Sequence, residues 1–303
     1  MRFSSQLLTE SEKEKIHQET LQILEKAGVR YHSQKALKLL EKNGARIDWE
    51  KYIAYIPPEL VEQTLKTCPK SFTLGARNPK FDYPLPSPVS RYALDGTAAF
   101  AQDFYTGERR YGTAKDNENG LRVFQAMDMG IMTWAPVSAE DKPAHTRPLH
   151  EWRCLTKYSS KHANHELHTV EQAPYLAEML SAVMGGEDAL RASHAYSLIY
   201  CPVSPLTHDG PMMEAYFELG SLDLPIMTLP MPVPGMTGPA SLFGNICIAN
   251  AEALSSIVAY QLDHPGRPMI YSSATGTTDM RTGAYTAGTP EMGLMSAALV
   301  EMG

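Results

Sequence analysis

Strand-like apolar runs begin near Gly130 (GIMTWAPVS), Ala163 (ANHELHT), Ala195 (AYSLIYCPVS), Pro225 (PIMTLPMPV) and Pro268 (PMIYSSAT), and helical patterns fill the gaps. Their spacing of about 30 to 45 residues is the length of a strand, a loop, a helix and a return, so the sequence predicts an α/β fold of βαβ units on a parallel sheet. Two further observations favour a (β/α)8 barrel of the TIM type over an open doubly wound sheet. No Gly-x-Gly-x-x-Gly follows the first run, and nearly every run ends in a loop rich in Ser, Pro and Gly. A barrel needs eight strands and about five are legible, so the chain is expected to hold only the first five or so βα units.

Residues 1–112 read as an α+β cap region ahead of that partial barrel, which occupies residues 113–303. A first helix starts at a capping box, Thr9 with Glu12, and carries Ile16, Thr20, Ile23, Leu24 and Ala27 on one face until Gly28 stops it. A second begins at Ser33, carries Ala36, Leu37, Leu39 and Leu40, and ends at Gly44. A third follows Pro57-Pro58 with Leu60, Val61 and Leu65 as its stripe, a start that suits proline. Extended pieces are expected at Tyr52–Ile56, Ser71–Leu74 and Arg91–Leu94, and a hairpin over Phe104–Tyr111 turning at Thr106-Gly107. Within 113–303, helices are expected over Leu149–Tyr158, Gln172–Met184, Gly210–Leu222, Pro239–His264 and Pro290–Met302. Runs such as Ser197–Cys201 lack polar alternation, as expected of strands covered on both faces.

With 303 residues, 43% apolar and 20% charged, the chain is long and apolar enough for a large core, which excludes intrinsic disorder. A net charge of -7 argues against a nucleic-acid partner. The run Leu224–Met236 is too short to span a bilayer and is broken by four prolines, so no membrane is expected. The opening Met-Arg-Phe-Ser-Ser-Gln-Leu-Leu does not read as a secretory signal. Cys68, Cys154, Cys201 and Cys247 form no Cys-x-x-Cys pair, which points to reduced thiols in a cytoplasm.

In a barrel, chemistry sits at the C-terminal ends of strands. Those ends would supply Trp134, Pro136 and Ser138; His165 and His168; Cys201, Ser204 and Pro205; Met231 and Gly235; and Ser272, Ser273 and Thr275. They include no Ser-His-Asp arrangement and no phosphate loop. His162, His165 and His168 invite a metal. On a strand, however, His162, Glu166 and His168 share a face while His165 points the other way. His162 would lie about 13 Å from Glu166, too far to share an ion. The two remaining ligands make a weak site, so no metal is expected. The long polar loop Ser272–Arg281 is a functional candidate, with Asp279 and Arg281 alternatively a surface ion pair. Thr289 and Glu291 read equally as a helix cap and its acidic first turn. Trp134, Tyr200 and Tyr271 are either core or the wall of a pocket for a cation.

Ala135-Pro136-Val137-Ser138-Ala139, Lys161-His162 with His165, Cys201-Pro202-Val203-Ser204-Pro205-Leu206, Tyr271-Ser272-Ser273 and Thr289-Pro290-Glu291-Met292-Gly293-Leu294 follow one another in order. Together, and with Pro57-Pro58-Glu59-Leu60-Val61 in the cap, they resemble the trimethylamine methyltransferase family over nearly the whole chain. The resemblance implies a (β/α)8 barrel that passes a methyl group from trimethylamine, or from a quaternary amine such as glycine betaine, to the Co(I) of a partner corrinoid protein. No cofactor is then bound directly. It also implies a C-terminally truncated chain, lacking the later strands and the position where some members carry pyrrolysine, so both branches of the family stay open. Trp134, Tyr271, Asp279 and Glu291 become candidates for holding the cation, Asp279 and Glu291 as the catalytic carboxylates. Ser138, His162, His165, Ser204, Ser272, Ser273 and Thr275 become candidates for holding the rest of the substrate. An assembly of identical chains is expected, and a non-catalytic binder of betaine-like ligands is the alternative reading.

Overall fold

The structure is a computed structural model that describes residues 6–303; the first five residues of the expected non-signal N-terminus lie outside it. The chain forms two compact units. One comprises the N-terminal residues to Cys68, Tyr200–Glu214 and Met227–Gly303; the other comprises Pro69–Ile199 and Ala215–Ile226. The helices of the first 68 residues pack on the long helix Leu242–Asp263, which gathers both ends of the chain into one unit.

In the first unit, Thr9 and Glu12 close the expected capping box on the helix Glu10–Gln22. The chain then makes a single π-turn, Ile23–Ala27, and leaves it at Gly28 with φ +74°. A Cβ there would come within 2.6 Å of Ile53 Cγ2 and 2.9 Å of the Ala54 carbonyl, so the stop is steric as well as conformational. Helices Gln34–Lys42 and Pro58–Leu65 follow as expected. The same unit holds a four-stranded sheet ordered Thr207–His208, Val29–Tyr31, Ile53–Tyr55, Arg46–Asp48. Three of these strands escaped the sequence reading because two or three residues carry no period.

Leu242–Asp263 has 16 buried residues among its 22, contacted by Glu10–Gln22, Gln34–Lys42, Pro58–Leu65 and Pro290–Met302. A helix apolar all round is a buried one. By length and composition it is the one helix among the described residues suited to crossing a membrane, and 78% of its apolar window is buried in the fold. Ile16, Ile246, Cys247, Ala249, Met295, Ala298 and Leu299 form a core cluster around it.

The second unit is built on parallel strands: Tyr92–Ala93, Gly130–Thr133, His162–His165, and Tyr196–Tyr200 up to Ile199. His162 stands opposite Met132, and His165 opposite Leu198. Pro225 extends this pattern by accepting the Leu198 N–H at 2.9 Å. His162–His165 and Tyr196–Tyr200 are buried at every position. All five expected strand runs are strands: 130–133, 162–165, 196–200, 226–228 and 269–271. Two departures from expectation bear on the strand ends. Tyr92–Ala93 pairs in parallel with Gly130–Thr133, and an unforeseen helix, Ala114–Gln125, starts at a Thr113–Asp116 capping box. The fold is mixed α/β with parallel strands.

Candidate active site

The parallel strands of the second unit end in a cluster of charged and aromatic side chains. His162 comes first and is fully buried, its Nδ1 2.8 Å from the Gly75 carbonyl and its Nε2 2.7 Å from Ser197 Oγ. Burial pushes the ring down to about 4. The neutral ring donates to Gly75 and accepts from Ser197, which makes His162 a brace between segments.

His165 ends the strand, equally buried, between two carboxylates. Its Nε2 lies 2.9 Å from Glu151 Oε2, and its Nδ1 3.3 Å from Glu166 Oε2. Burial alone would lower this histidine, but the Glu166 charge and the hydrogen bonds the ring donates to both carboxylates raise it well above its ordinary value. Glu166 is pushed up by burial too, yet the His165 charge prevails and holds it below the usual carboxylate range. The indole N–H of half-buried Trp134 lies 3.0 Å from Glu166 Oε2 and 3.1 Å from His165 Nδ1. Gly96 backs this ring, where a Cβ would come within 2.4 Å of the indole carbons. His168 is exposed, 3.9 Å from Glu166 Oε1.

This overturns the expectation that His165 and Glu166 point apart. The strand stops at His165, so the alternation of faces does not carry on to Glu166. Among the described residues, no three His, Cys, Asp or Glu side chains are grouped to hold a metal ion. Ser138 sits on the loop after Trp134; its hydroxyl donates to Glu140 at 2.8 Å, and Glu140 pairs with Arg147. The next residue, Ala139, gives its N–H to Glu151 Oε1 at 2.7 Å.

The remaining candidates belong to the first unit, where most bind the fold itself. Ser204 donates to Glu252 Oε2 at 2.8 Å, and the Leu206 N–H to Glu252 Oε1 at 2.9 Å. Burial raises Glu252 to about 7, against smaller lowering by these two hydrogen bonds. Tyr271 donates to Asn250 at 2.8 Å. Ser272 donates to the Thr228 carbonyl at 2.6 Å, and Ser273 to that of Pro230 at 3.0 Å. Buried Thr275 donates to Pro232 and accepts from Asn245 at 2.7 Å. These three hydroxyls share one task, fastening the loop after Met269–Tyr271 to residues 228–232. Asp279 is exposed and binds its own turn through the Arg281 and Thr282 amides, at 2.8 and 3.0 Å, which hold it below its ordinary value. Glu291 is exposed in the first turn of Pro290–Met302, whose cap is Thr289.

The structure thus brings Trp134 and His165 together, with Ser138 on the adjoining loop. Sequence reasoning missed Glu151 and Glu252. Glu151 left one sign: it shares a helical stripe with Pro148, Trp152 and Leu155, an acid where an apolar residue is expected.

Fold and site together define an α/β protein that presents an indole and a carboxylate–imidazole cluster of net negative charge at adjoining strand ends. Residues 3–303 match the model of the trimethylamine methyltransferase (MTTB) family, and the chain belongs to that family. It is 31% identical over 287 residues to trimethylamine methyltransferase MttB of Desulfitobacterium hafniense, covering 95% of this chain and 58% of that protein. It is 29% identical to a glycine betaine methyltransferase of the same species (98% and 61% covered) and to trimethylamine methyltransferase MttB of Methanosarcina thermophila (98% and 62%). The chain spans about three fifths of the length of these curated relatives. Among solved structures it is similar to the monomethylamine methyltransferase (MtmB) of Methanosarcina barkeri, with a TM-score of 0.46, 11% identity, and 96% of this chain and 64% of that chain covered.

Proposed function

We propose that the chain is the N-terminal part of an amine methyltransferase, comprising a cap and the first βα units of a (β/α)8 barrel, that binds a methylated ammonium compound. Its methyl group would pass to the Co(I) of a corrinoid carried by a partner protein. The names of its relatives support trimethylamine and glycine betaine as the substrate classes. The observation that carries the reading is Glu166 beside Trp134, since an alkylated ammonium is attracted both to a carboxylate and to an indole face.

The chemistry asks little else of the protein. A bound corrinoid's Co(I) would supply the nucleophile for the methyl carbon; as the C–N bond broke, nitrogen would keep the electron pair, so a positively charged nitrogen would leave as a neutral amine. The protein's share is to bind the cation, aim one methyl group and exclude water. The test is to incubate the chain with reduced cobalamin and either trimethylamine or glycine betaine, following methylcobalamin by absorbance and the demethylated amine by mass. Formation of both products supports the proposal. Binding of the amines with no product would leave the non-catalytic binder instead.

A further inference from the structure

Glu151 stands on the buried stripe of Arg147–Tyr158 and is 2% exposed. Both its carboxylate oxygens are engaged. Oε1 takes the Ala139 N–H at 2.7 Å, and Oε2 lies 2.9 Å from His165 Nε2. Ala139 closes the segment that begins directly after Trp134, and His165 ends the neighbouring strand. One buried side chain therefore ties down both walls of the cluster. His165 passes the constraint on, because its Nδ1 faces the same Glu166 oxygen that receives the Trp134 indole N–H.

We infer that Glu151 is a positioning residue which, through His165, holds the Glu166 carboxylate and the Trp134 ring as a cradle for an alkylated ammonium group. This rests on the methylated-amine reading above and adds to it a residue standing behind those that touch substrate.

The proton positions follow from the donor inventory. An indole nitrogen only donates, so Trp134 bonds to His165 Nδ1 only when that nitrogen is unprotonated; otherwise both donors turn to Glu166 Oε2. The groups facing the ring are Glu151 from the helix, Glu166 from the segment after the strand, Trp134 from the strand beside it, and the Trp152 ring at 5.6 Å between centroids. His168 lies beyond, on the far oxygen of Glu166. With a carboxylate at each nitrogen the imidazolium is the form held, leaving the cluster one net negative charge. Glu151→Gln would still accept from Ala139 while its amide donates to His165 Nε2. The ring would then be neutral with its proton on Nδ1, still aimed at Glu166. Glu151→Ala would lose both ties.

The test uses the 303-residue chain, its two variants at Glu151, and tetramethylammonium as a probe that does not titrate. Ring nitrogen shifts from labelled histidine should show His165 doubly protonated at about pH 7.5 in the parent and neutral in Glu151→Gln. Tetramethylammonium affinity, read from tryptophan fluorescence, should fall about tenfold or more in Glu151→Ala and stay within about threefold of the parent in Glu151→Gln. In the parent, affinity should rise about fivefold as rising pH removes the His165 proton, and that rise should vanish in Glu151→Gln. A neutral His165 in the parent, no tetramethylammonium binding, equal affinity in Glu151→Ala, or the same pH rise in Glu151→Gln would each overturn the inference. If Glu151→Ala does not fold, by circular dichroism, Glu151→Gln decides alone. Methyl transfer is scored separately: Glu151-dependent binding without demethylation overturns the proposed function only, and demethylation unchanged in Glu151→Ala overturns this inference only.

Discussion

Replacing Glu252 by glutamine should stabilise the protein at pH 8 and change little at pH 4.5. Glu252 is fully buried on Leu242–Asp263, and its partners are one hydroxyl and one backbone amide, with no cation among them. Its folded value is raised from 4.5 to about 7, so the folded state keeps the proton that the unfolded chain has already released. Stability linked to this group is fully present below about pH 4.5 and is lost as pH rises through about 7. At 1.36 kcal/mol per pH unit the shift is worth about 3 kcal/mol, an upper figure that relaxation and water entry reduce to about 2. Glutamine keeps the geometry, since its oxygen accepts the Leu206 N–H and its amide donates to Ser204, and it carries no proton to lose. Urea unfolding followed by circular dichroism at both pH values measures the difference directly. A glutamine variant less stable than the parent at pH 8, or a gain of equal size at pH 4.5, would refute the reasoning.

Other outcomes follow from the same geometry. Ser204→Ala removes a donor that the ionised carboxylate needs more than the neutral acid does. It should cost about 1 to 2 kcal/mol at pH 8 and about half that at pH 4.5, by the same urea assay. Trp152→Ala empties a fully buried site and strips the Glu166 carbonyl of an indole donor at 3.1 Å, which should cost about 3 to 5 kcal/mol in urea midpoint terms. Glu166→Gln removes the carboxylate proposed to face the cation, leaving only the buried Glu151 charge behind His165, and tetramethylammonium affinity should drop about tenfold by fluorescence titration. Glu291→Ala removes only an exposed acid from a helix start. It should shift stability by about 0.5 kcal/mol at low ionic strength and by nothing measurable in high salt, as thermal melts would record.

What the sequence disclosed and what it concealed divide along physical lines. Buried parallel strands are continuous apolar runs, so Tyr196–Tyr200 and its neighbours were legible without any partner being known. Ala114–Gln125 was not, because Leu121 and Phe124 are its only buried apolar positions; the Thr113–Asp116 box was its one clear sign. Trp134 and His165 were legible as strand-end positions, since position along a strand is a local property. What each side chain bonds to is not local. Ser204 meets an acid 48 residues on, while Ser272 and Ser273 meet carbonyls 44 and 43 residues back. A run of hydroxyls at strand ends therefore looks the same in sequence whether it awaits a ligand or fastens a loop.

Glu151 shows the converse. An acid inside a helix reads as solvated until its stripe is seen to be buried, and its two partners lie 12 and 14 residues away on different segments. A buried carboxylate with both oxygens committed is costly unless its surroundings need the charge, and here they do: without it, His165 has a single carboxylate to hold its proton in place. The cluster therefore stands or falls as a unit. Exchanging Glu151 and Glu166 together should disturb the His165 proton by less than the sum of the two single exchanges, since either one alone already removes the pairing that the other depends on.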